Sequence, residues 1–329
     1  MNIGIVGATG LVGQTFIKVL EEKKIKFDKI KFLASEKSQG KDIFFNGKKY
    51  KVEKLTEESF DDLDVALFSA GGDVSRKFAP IASNKGCIVI DNSSAFRMEK
   101  EVPLVVPEVN GRRSLENKGI ISNPNCSTIQ CMAPLKALDR NFKIKRVVYS
   151  TYQAVSGSGN KGIEDMKKGI NGEECKFYKK DISYNCLPLI DDLLDNGYSK
   201  EEWKMIQETK KILENEDLQV TATCVRVPVW NGHGVSVNIE LENSFNLEEI
   251  KEVLRKEKNI ILTDEIPTPK DISGKDEIMV GRIRRDISTE NGVSLWIVAD
   301  NIRKGAASNA IEILEFLMEE GNLCLKDQE

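Results

Sequence analysis

Met1-Asn2-Ile3-Gly4-Ile5-Val6-Gly7-Ala8-Thr9-Gly10-Leu11-Val12-Gly13 begins as a short, nearly all-apolar run and continues into three evenly spaced glycines. A run of that kind reads as a strand buried on both faces. Behind the glycines, Phe16, Ile17, Val19 and Leu20 recur at helical spacing. Gly7, Gly10 and Gly13 then form a variant of the dinucleotide-binding fingerprint: a tight turn, then a close backbone approach that leaves a diphosphate at the helix N-terminus. A glycine triplet alone serves a structural turn equally well. The strand-loop-helix order, with a second strand through Ile30, Phe32 and Leu33 at the right distance, favours a cofactor.

The end of that second strand bears on which nicotinamide cofactor fits. A lone acid there meets ribose hydroxyls, whereas Ser35-Glu36-Lys37-Ser38 supplies one cation and two hydroxyls, which suit the 2′-phosphate of NADP. Glu36 could still point to the ribose, and Lys37 could be a solvated surface charge. Residues 42–54 alternate around Asn46-Gly47, a hairpin signal. Strand Val65-Ala66-Leu67-Phe68 ends at Ser69-Ala70-Gly71-Gly72, a helix through Phe78 and Ile81 follows, and then strand Cys87-Ile88-Val89-Ile90. Alternation of this kind predicts a parallel, doubly wound sheet. The loop Asp91-Asn92-Ser93-Ser94-Ala95-Phe96-Arg97 leaves the last of these strands, and its arginine is either a solvated residue or an anion contact at the sheet edge.

In Gly119-Ile120-Ile121-Ser122-Asn123-Pro124-Asn125-Cys126-Ser127-Thr128-Ile129-Gln130 a strand runs into a proline-fixed turn and then into apolar residues at helical spacing. Cys126 therefore opens a helix, where free N–H groups and the helix dipole favour a thiolate. On residue type alone it is a small buried apolar side chain; context elsewhere in the chain has to overturn that. Beyond it, residues 147–155 read as a strand ending in the polar turn Ser156-Gly157-Ser158-Gly159-Asn160. Trp203, Ile206, Lys210 and Leu213 mark a helix, on which Glu208 and Lys211 sit one turn apart as a candidate surface ion pair. Arg226 lies inside an apolar strand and needs an anionic partner if it points inward. His233 is flanked by glycines, which suits a ring reached by substrate better than one packed in a core. The segment 293–299 is a further apolar strand, and Asp300-Asn301-Ile302-Arg303-Lys304-Gly305-Ala306-Ala307 leads to a terminal helix expected to pack on the first domain.

The 329 residues suit two domains, here 1–125, completed by a C-terminal helix over 302–329, and 126–301. A net charge of -4 favours neither nucleic acid nor an anionic membrane surface. The absence of a long apolar run or a signal-peptide pattern points to the cytoplasm. Seven cysteines without paired spacing are expected to be free thiols, and no metal site is expected. With one histidine in the chain, any neutral-pH imidazole chemistry must use His233.

A nicotinamide-type domain with one candidate thiolate and one imidazole implies aldehyde chemistry through a thioester. The motifs that bear on this are Gly7-Ala8-Thr9-Gly10, Asn92 to Arg97, Asn123-Pro124-Asn125-Cys126-Ser127-Thr128, Tyr152-Gln153-Ala154-Val155-Ser156-Gly157, Thr223 to Val229, Gly232-His233 and Asp300 to Ala307. Together they make the chain resemble the aspartate-semialdehyde dehydrogenase family over nearly its whole length. The resemblance implies an α/β fold: an N-terminal Rossmann-type doubly wound sheet plus an α+β catalytic and dimerisation domain of glyceraldehyde-3-phosphate-dehydrogenase-like type. It implies NADPH-dependent reductive dephosphorylation of L-aspartyl 4-phosphate to the semialdehyde in lysine, methionine and threonine synthesis, by a homodimer or homotetramer.

Residue by residue, the resemblance implies Cys126 as the acyl-forming nucleophile, His233 as general acid/base and Gln153 positioning the reacting centre. Arg226 would clamp the substrate carboxylate and Glu208 its ammonium, with Arg97, Asn125 and Lys211 around the phosphate. Gly7, Thr9, Gly10, Leu11, Val12, Ser35, Lys37, Ser38, Ser156, Gly157 and Asn301 would meet NADP. Two positions depart from the family pattern: Lys37 stands where arginine is common, and Gly234 where serine is expected. The rivals are another thioester-forming reductase of this architecture, such as N-acetyl-γ-glutamyl-phosphate reductase or phosphorylating glyceraldehyde-3-phosphate dehydrogenase, and a non-catalytic NADP-binding regulatory module. Glu208 speaks against the first, whose substrate amine is acylated, and the intact Cys126 and His233 speak against the last.

Overall fold

The structure, a computed structural model, describes residues 1–321 and 323. Contacts divide it into two compact units, Met1–Pro124 with the C-terminal segment from Ala306, and Asn125–Gly305. The division falls one residue before the expected boundary because Asn125 is tied to the second unit through its cap on the following helix and its bonds to Glu201 and Glu208. The return falls after Gly305 rather than Asn301. Residues 322 and 324–329, part of the expected C-terminal helix, and Cys324 lie outside the described residues.

The first unit begins with β1 (Asn2–Val6), α1 (Leu11–Lys23), β2 (Lys29–Ala34), the hairpin β3 (Asp42–Phe45) and β4 (Lys48–Lys51), and β5 (Glu53–Lys54). It continues with β6 (Val65–Phe68), α2 (Gly72–Asn84), β7 (Ile88–Asp91), α3 (Pro107–Asn110) and β8 (Ile120–Ser122). Its six-stranded sheet runs β5-β2-β1-β6-β7-β8 with every neighbour parallel. The strand order reverses between β2 and β6 around β1, and ligands of doubly wound sheets bind outside the carboxyl ends at such a switch point. One apolar layer joins β1, β2 and α1 through Ile3, Ile5, Phe16, Leu20 and Phe32, and includes Ile311, Leu314 and Leu317 of the terminal helix. The other face is covered by α2 through Ala79 and Ala82, packed with Phe60 and Phe68.

The second unit holds α4 (Cys126–Phe142), β9 (Ile144–Gln153), α5 (Gly159–Ile170), α6 (Lys200–Leu213), β10 (Gln219–Arg226) and β11 (His233–Leu241). There follow α7 (Leu247–Arg255), β12 (Ile260–Leu262), α8 (Pro269–Ile272), β13 (Ile278–Asp286) and β14 (Gly292–Ala299). A wide turn over Arg303–Ser308 then returns the chain to the first unit, whose last helix is α9 (Asn309–Glu319). The sheet, in the order β10-β9-β11-β14-β13-β12, is mixed: β10 pairs parallel with β9, while β9, β11, β14 and β13 pair antiparallel in turn. Two features of this arrangement position the site. The register sets Arg226 beside Gln153 at the ends of β10 and β9. Gln130 of α4 donates from Nε2 to the His233 and Ile297 carbonyls, at 3.3 and 3.2 Å, locking that helix onto the centre of the sheet. No described helix is long and apolar enough to cross a membrane.

Candidate active site

The nucleophile candidate sits at the helix start the sequence predicts. Asn125 is the N-cap of α4, extended at φ -64° and ψ 143°, and its side-chain oxygen accepts from Ser127 N at 2.9 Å. That cap satisfies one N–H of the first turn and aims Cys126 along the positive end of a 17-residue helix. Gly305 makes room for it, since a Cβ there would lie 2.9 Å from the Cys126 Cβ. The other five described cysteines are free thiols like Cys126, and burial pushes those of Cys131, Cys224 and Cys87 upward, Cys87 to about 12. Buried thiols of that kind are inert.

Cys126 Sγ lies 3.3 Å from His233 Nε2. The other ring nitrogen accepts a hydrogen bond from Ala154 N–H at 3.0 Å. A backbone N–H only donates, so Nδ1 carries no hydrogen and the ring proton sits on Nε2, facing the sulfur. Burial, with the nearby Arg226 charge, pushes His233 down to about 3, which keeps the ring neutral. Contrary to the expectation drawn from its flanking glycines, His233 is fully buried. Those glycines answer to packing instead. A Cβ on Gly232, at φ +84°, would lie 2.7 Å from the Pro269 carbonyl oxygen, and one on Gly234 would lie 2.5 Å from the Trp296 ring. The second contact explains why serine is absent from that position.

Arg226 is 5% exposed and forms no ion pair among the described residues. One terminal nitrogen donates to the Ala154 carbonyl at 2.7 Å, while Nε is buried without a hydrogen-bond partner. An unneutralised buried guanidinium calls for an anion. It lines a cavity of about 460 Å³ with Tyr178, Lys179, Leu187 and Asp191. Gly157 lets Arg226 and His233 close up, because a Cβ there would lie 2.9 Å from the guanidinium and 3.4 Å from the imidazole.

Glu208 is not the surface residue that its spacing from Lys211 suggests. It is 1% exposed, and its carboxylate accepts from Asn125 N at 2.6 Å. Gln153, also buried, accepts from Thr151 Oγ1 at 2.9 Å and donates from Nε2 at 3.0 Å to Glu201. The sequence reading passed over Glu201. The signal was present: Ser199 and Glu202 form a capping box that starts α6, and Glu201, Lys204 and Glu208 then fall on one face of it. Cys126, His233, Gln153, Asn125, Glu208 and Arg226 are thus assembled in the second unit from α4, β9, α6, β10 and β11. Lys211 is half-buried on α6 in the same unit.

Ser156 Oγ bonds Asn301 Oδ1 at 3.1 Å, and Gly232 N–H donates to the same oxygen at 2.8 Å. These two bonds orient the amide of Asn301 and leave its Nδ2, buried without a partner, as a donor for a ligand acceptor.

In the first unit, Arg97 is 7% exposed, its guanidinium donating to the Asn123 and Asn92 carbonyls at 2.9 and 3.0 Å, so it is no solvated surface residue. The glycine turn has the form a nucleotide needs. Gly7 has φ +86°, and its Cβ would lie 2.9 Å from the Ser69 backbone; a Cβ on Gly13 would lie 2.2 Å from Gly7 O. Gly10 caps α1 with no side-chain bond, leaving the Leu11 and Val12 end of that helix open to an anion. Thr9 Oγ1 donates to Ser38 Oγ at 3.3 Å, joining the turn to the loop after β2. In that loop Ser35 and Lys37 are exposed, and Lys37 forms no ion pair among the described residues. Glu36 pairs with Lys54 at 3.1 Å, which draws its carboxylate toward the neighbouring strand. These residues fit a dinucleotide.

Each of the two units falls within a known domain family. Residues 2–117 match the semialdehyde dehydrogenase NAD binding domain and residues 134–304 the semialdehyde dehydrogenase dimerisation domain. The chain is 50% identical to the aspartate-semialdehyde dehydrogenase of Aquifex aeolicus, covering 97% of this chain and 98% of that one. It superposes with a TM-score of 0.94 on the crystal structure of aspartate semialdehyde dehydrogenase II from Vibrio cholerae complexed with ASA, at 44% identity over 97% of this chain and 98% of that one. With the Candida albicans aspartate semialdehyde dehydrogenase structure with NADP, the TM-score is 0.80 at 28% identity, over 98% and 99% of the two chains. The chain belongs to the aspartate-semialdehyde dehydrogenase family, oxidoreductases that act on an aldehyde with a nicotinamide cofactor.

Proposed function

We propose that the chain reduces L-aspartyl 4-phosphate to L-aspartate 4-semialdehyde through a thioester on Cys126, with NADPH as the hydride donor. The observation that supports this best is the Cys126–His233 pair at 3.3 Å, with a buried guanidinium that lacks an anionic partner in the same unit. The Cys126 thiolate attacks the acyl carbon, the bond from that carbon to the phosphate oxygen breaks, and phosphate departs with the electron pair. When bound, the reduced nicotinamide supplies a hydride to the thioester carbon. The resulting oxyanion re-forms its carbonyl by expelling the Cys126 thiolate, which returns the enzyme to its starting state.

His233 holds its proton at Nε2, where it donates to the thiolate and to charge developing beside it. Passing a proton through that ring, the acid/base role the family implies, requires the Ala154 contact at Nδ1 to open, because an imidazolium carries a hydrogen on both nitrogens. Arg226 takes the substrate carboxylate in a fork, Glu208 the ammonium, Gln153 the reacting centre, and Arg97, Asn125 and Lys211 the phosphate. Gly7, Thr9, Gly10, Leu11 and Val12 take the diphosphate, while Ser156, Gly157 and Asn301 meet the nicotinamide end. Ser35, Lys37 and Ser38 receive the 2′-phosphate; Glu36, held by Lys54, does not oppose it. The reading extends to a cytoplasmic homodimer or homotetramer in the aspartate-derived pathway, with the diphosphate held by the first unit and the chemistry carried out in the second.

The test is phosphate-dependent NADPH production from aspartate semialdehyde, run on the wild type and Cys126→Ser. The serine variant is expected to lose at least about a thousandfold in kcat, since a hydroxyl at neutral pH is a far weaker nucleophile than a helix-terminal thiolate. Its melting temperature and NADP affinity stay unchanged. A Cys126→Ser protein retaining a few per cent of activity would rule out the thioester.

A further inference from the structure

We propose that Glu201 is a positioning residue for the reaction, fixing which edge of the Gln153 amide faces the reacting centre. An amide side chain presents two N–H donors on one edge and an acceptor on the other, and the two orientations differ only in what surrounds them. Thr151 does not choose between them. Its hydroxyl donates to Gln153 Oε1 at 2.9 Å, but a hydroxyl accepts from an amide nitrogen equally well. Glu201 does choose, because a carboxylate only accepts. Its Oε1, 3.0 Å from Gln153 Nε2, requires the nitrogen on its side and leaves the second Nε2 hydrogen for the reacting group.

The carboxylate is suited to this task because it is itself held. Glu201 is 5% exposed. Its Oε1 also accepts from Asn125 Nδ2 at 2.8 Å, and its Oε2 from Lys204 Nζ at 3.1 Å. Lys204 in turn reaches Asp191 at 2.5 Å, so the chain of contacts ends on the loop that lines the Arg226 cavity. Burial alone pushes the Glu201 carboxyl up, but the Lys204 charge and the bonds from Gln153, Asn125 and Lys204 outweigh it and bring it down to about 2. Glu201 is therefore ionised at any working pH, an acceptor throughout. Asn125 does not depend on Glu201 in the same way, since the Ser127 N–H already fixes its oxygen edge.

Replacing Glu201 by glutamine keeps the shape and spoils the logic. With its oxygen toward Gln153 the new amide sets an NH₂ against the Lys204 ammonium; turned over, it sets that NH₂ against the Gln153 and Asn125 donors. The inference rests on the role proposed above for Gln153, and a double-mutant cycle separates the two. Glu201→Gln is expected to lower kcat by about 10- to 100-fold, the scale of a misoriented catalytic contact, with KM for aspartate semialdehyde within about threefold of wild type. In a Gln153→Ala background the same substitution should cost less than about threefold, because the group it acts through is gone. If Glu201→Gln does not fold, Glu201→Asp, which keeps the charge but withdraws the oxygen, takes its place in the same cycle. An equal fold-loss in both backgrounds, or a wild-type kcat for the Glu201 variant, overturns the inference and leaves Gln153 untouched. A wild-type kcat for Gln153→Ala alone removes the Gln153 role and this inference with it.

Discussion

The glycine turn of the first unit and the thiol site of the second solve the problem of placing groups in opposite ways. The turn is backbone: Gly7, Gly10 and Gly13 lie within seven consecutive residues, and what matters is that no Cβ fills the cradle or blocks the packing of Gly13 against Gly7 O. The thiol site is made of side chains. Cys126 and His233 meet across 107 positions of sequence, and Gln153, Glu201, Glu208 and Arg226 arrive on three further elements. A backbone site is local and tolerates no added atom, whereas a side-chain site is non-local and tolerates no loss of a polar partner.

Exchanging Arg226 for lysine tests the side-chain half most severely. It keeps the charge but loses the fork, so kcat/KM for aspartate semialdehyde should fall by roughly tenfold to a thousandfold, about 1.4 to 4 kcal/mol. NADP affinity should stay as it was. A near-normal KM in a stably folded Arg226→Lys protein would end the carboxylate clamp and blur the contrast between the two regions.

Gly13→Ala tests the backbone half. Its Cβ would meet Gly7 O at 2.2 Å and Ala8 Cα at 2.9 Å, both main-chain atoms that cannot swing aside. Overpacking of that kind costs about 1 to 3 kcal/mol, to be read as a lower melting temperature together with a raised KM for the cofactor. The rate of Cys126 alkylation should not change. Unaltered cofactor affinity would show that the turn is structural only.

The smallest effect is expected at Lys37, an exposed cation in the turn after β2. Lys37→Ala should reduce the ratio of kcat/KM for NADPH over NADH severalfold, on the order of 1 kcal/mol for a solvent-exposed charge contact. A ratio that does not move would assign the 2′-phosphate to Ser35 and Ser38.

The two regions differ just as much in how far their sequence could be read. The parallel sheet, the hairpin at Asn46-Gly47 and the helix opened by Cys126 all follow from short-range signals, and the structure has them in place. The side-chain site was legible only in part. Arg226 inside an apolar strand is a contradiction visible in the sequence, and its buried, unpaired guanidinium bears that out. The glycines around His233 pointed to an accessible ring, but they are there because Pro269 and Trp296 pack against the backbone. Glu208 and Lys211 had the spacing of a surface pair, yet Glu208 lies on the buried face of α6, a distinction that helical period alone does not make. For Glu201 the capping box and the face shared with Lys204 and Glu208 were visible, but one more glutamate in the first turn of a helix is what capping predicts anyway, so the pattern did not single it out.

By itself the amino-acid sequence determined what depends on a few neighbouring residues: the alternation of apolar strands and helices, the glycine turn, the capped start of α4, and which residue types are available for nucleophilic and imidazole chemistry. Only the tertiary structure decided which nitrogen of His233 carries the proton, that Arg226 has no anionic partner among the described residues, and that Glu201 holds Gln153. Each of those depends on a donor or acceptor brought from dozens of positions away by strand register and helix packing. Hydrogen bonds of 3 Å are set by that register, and no local pattern encodes it.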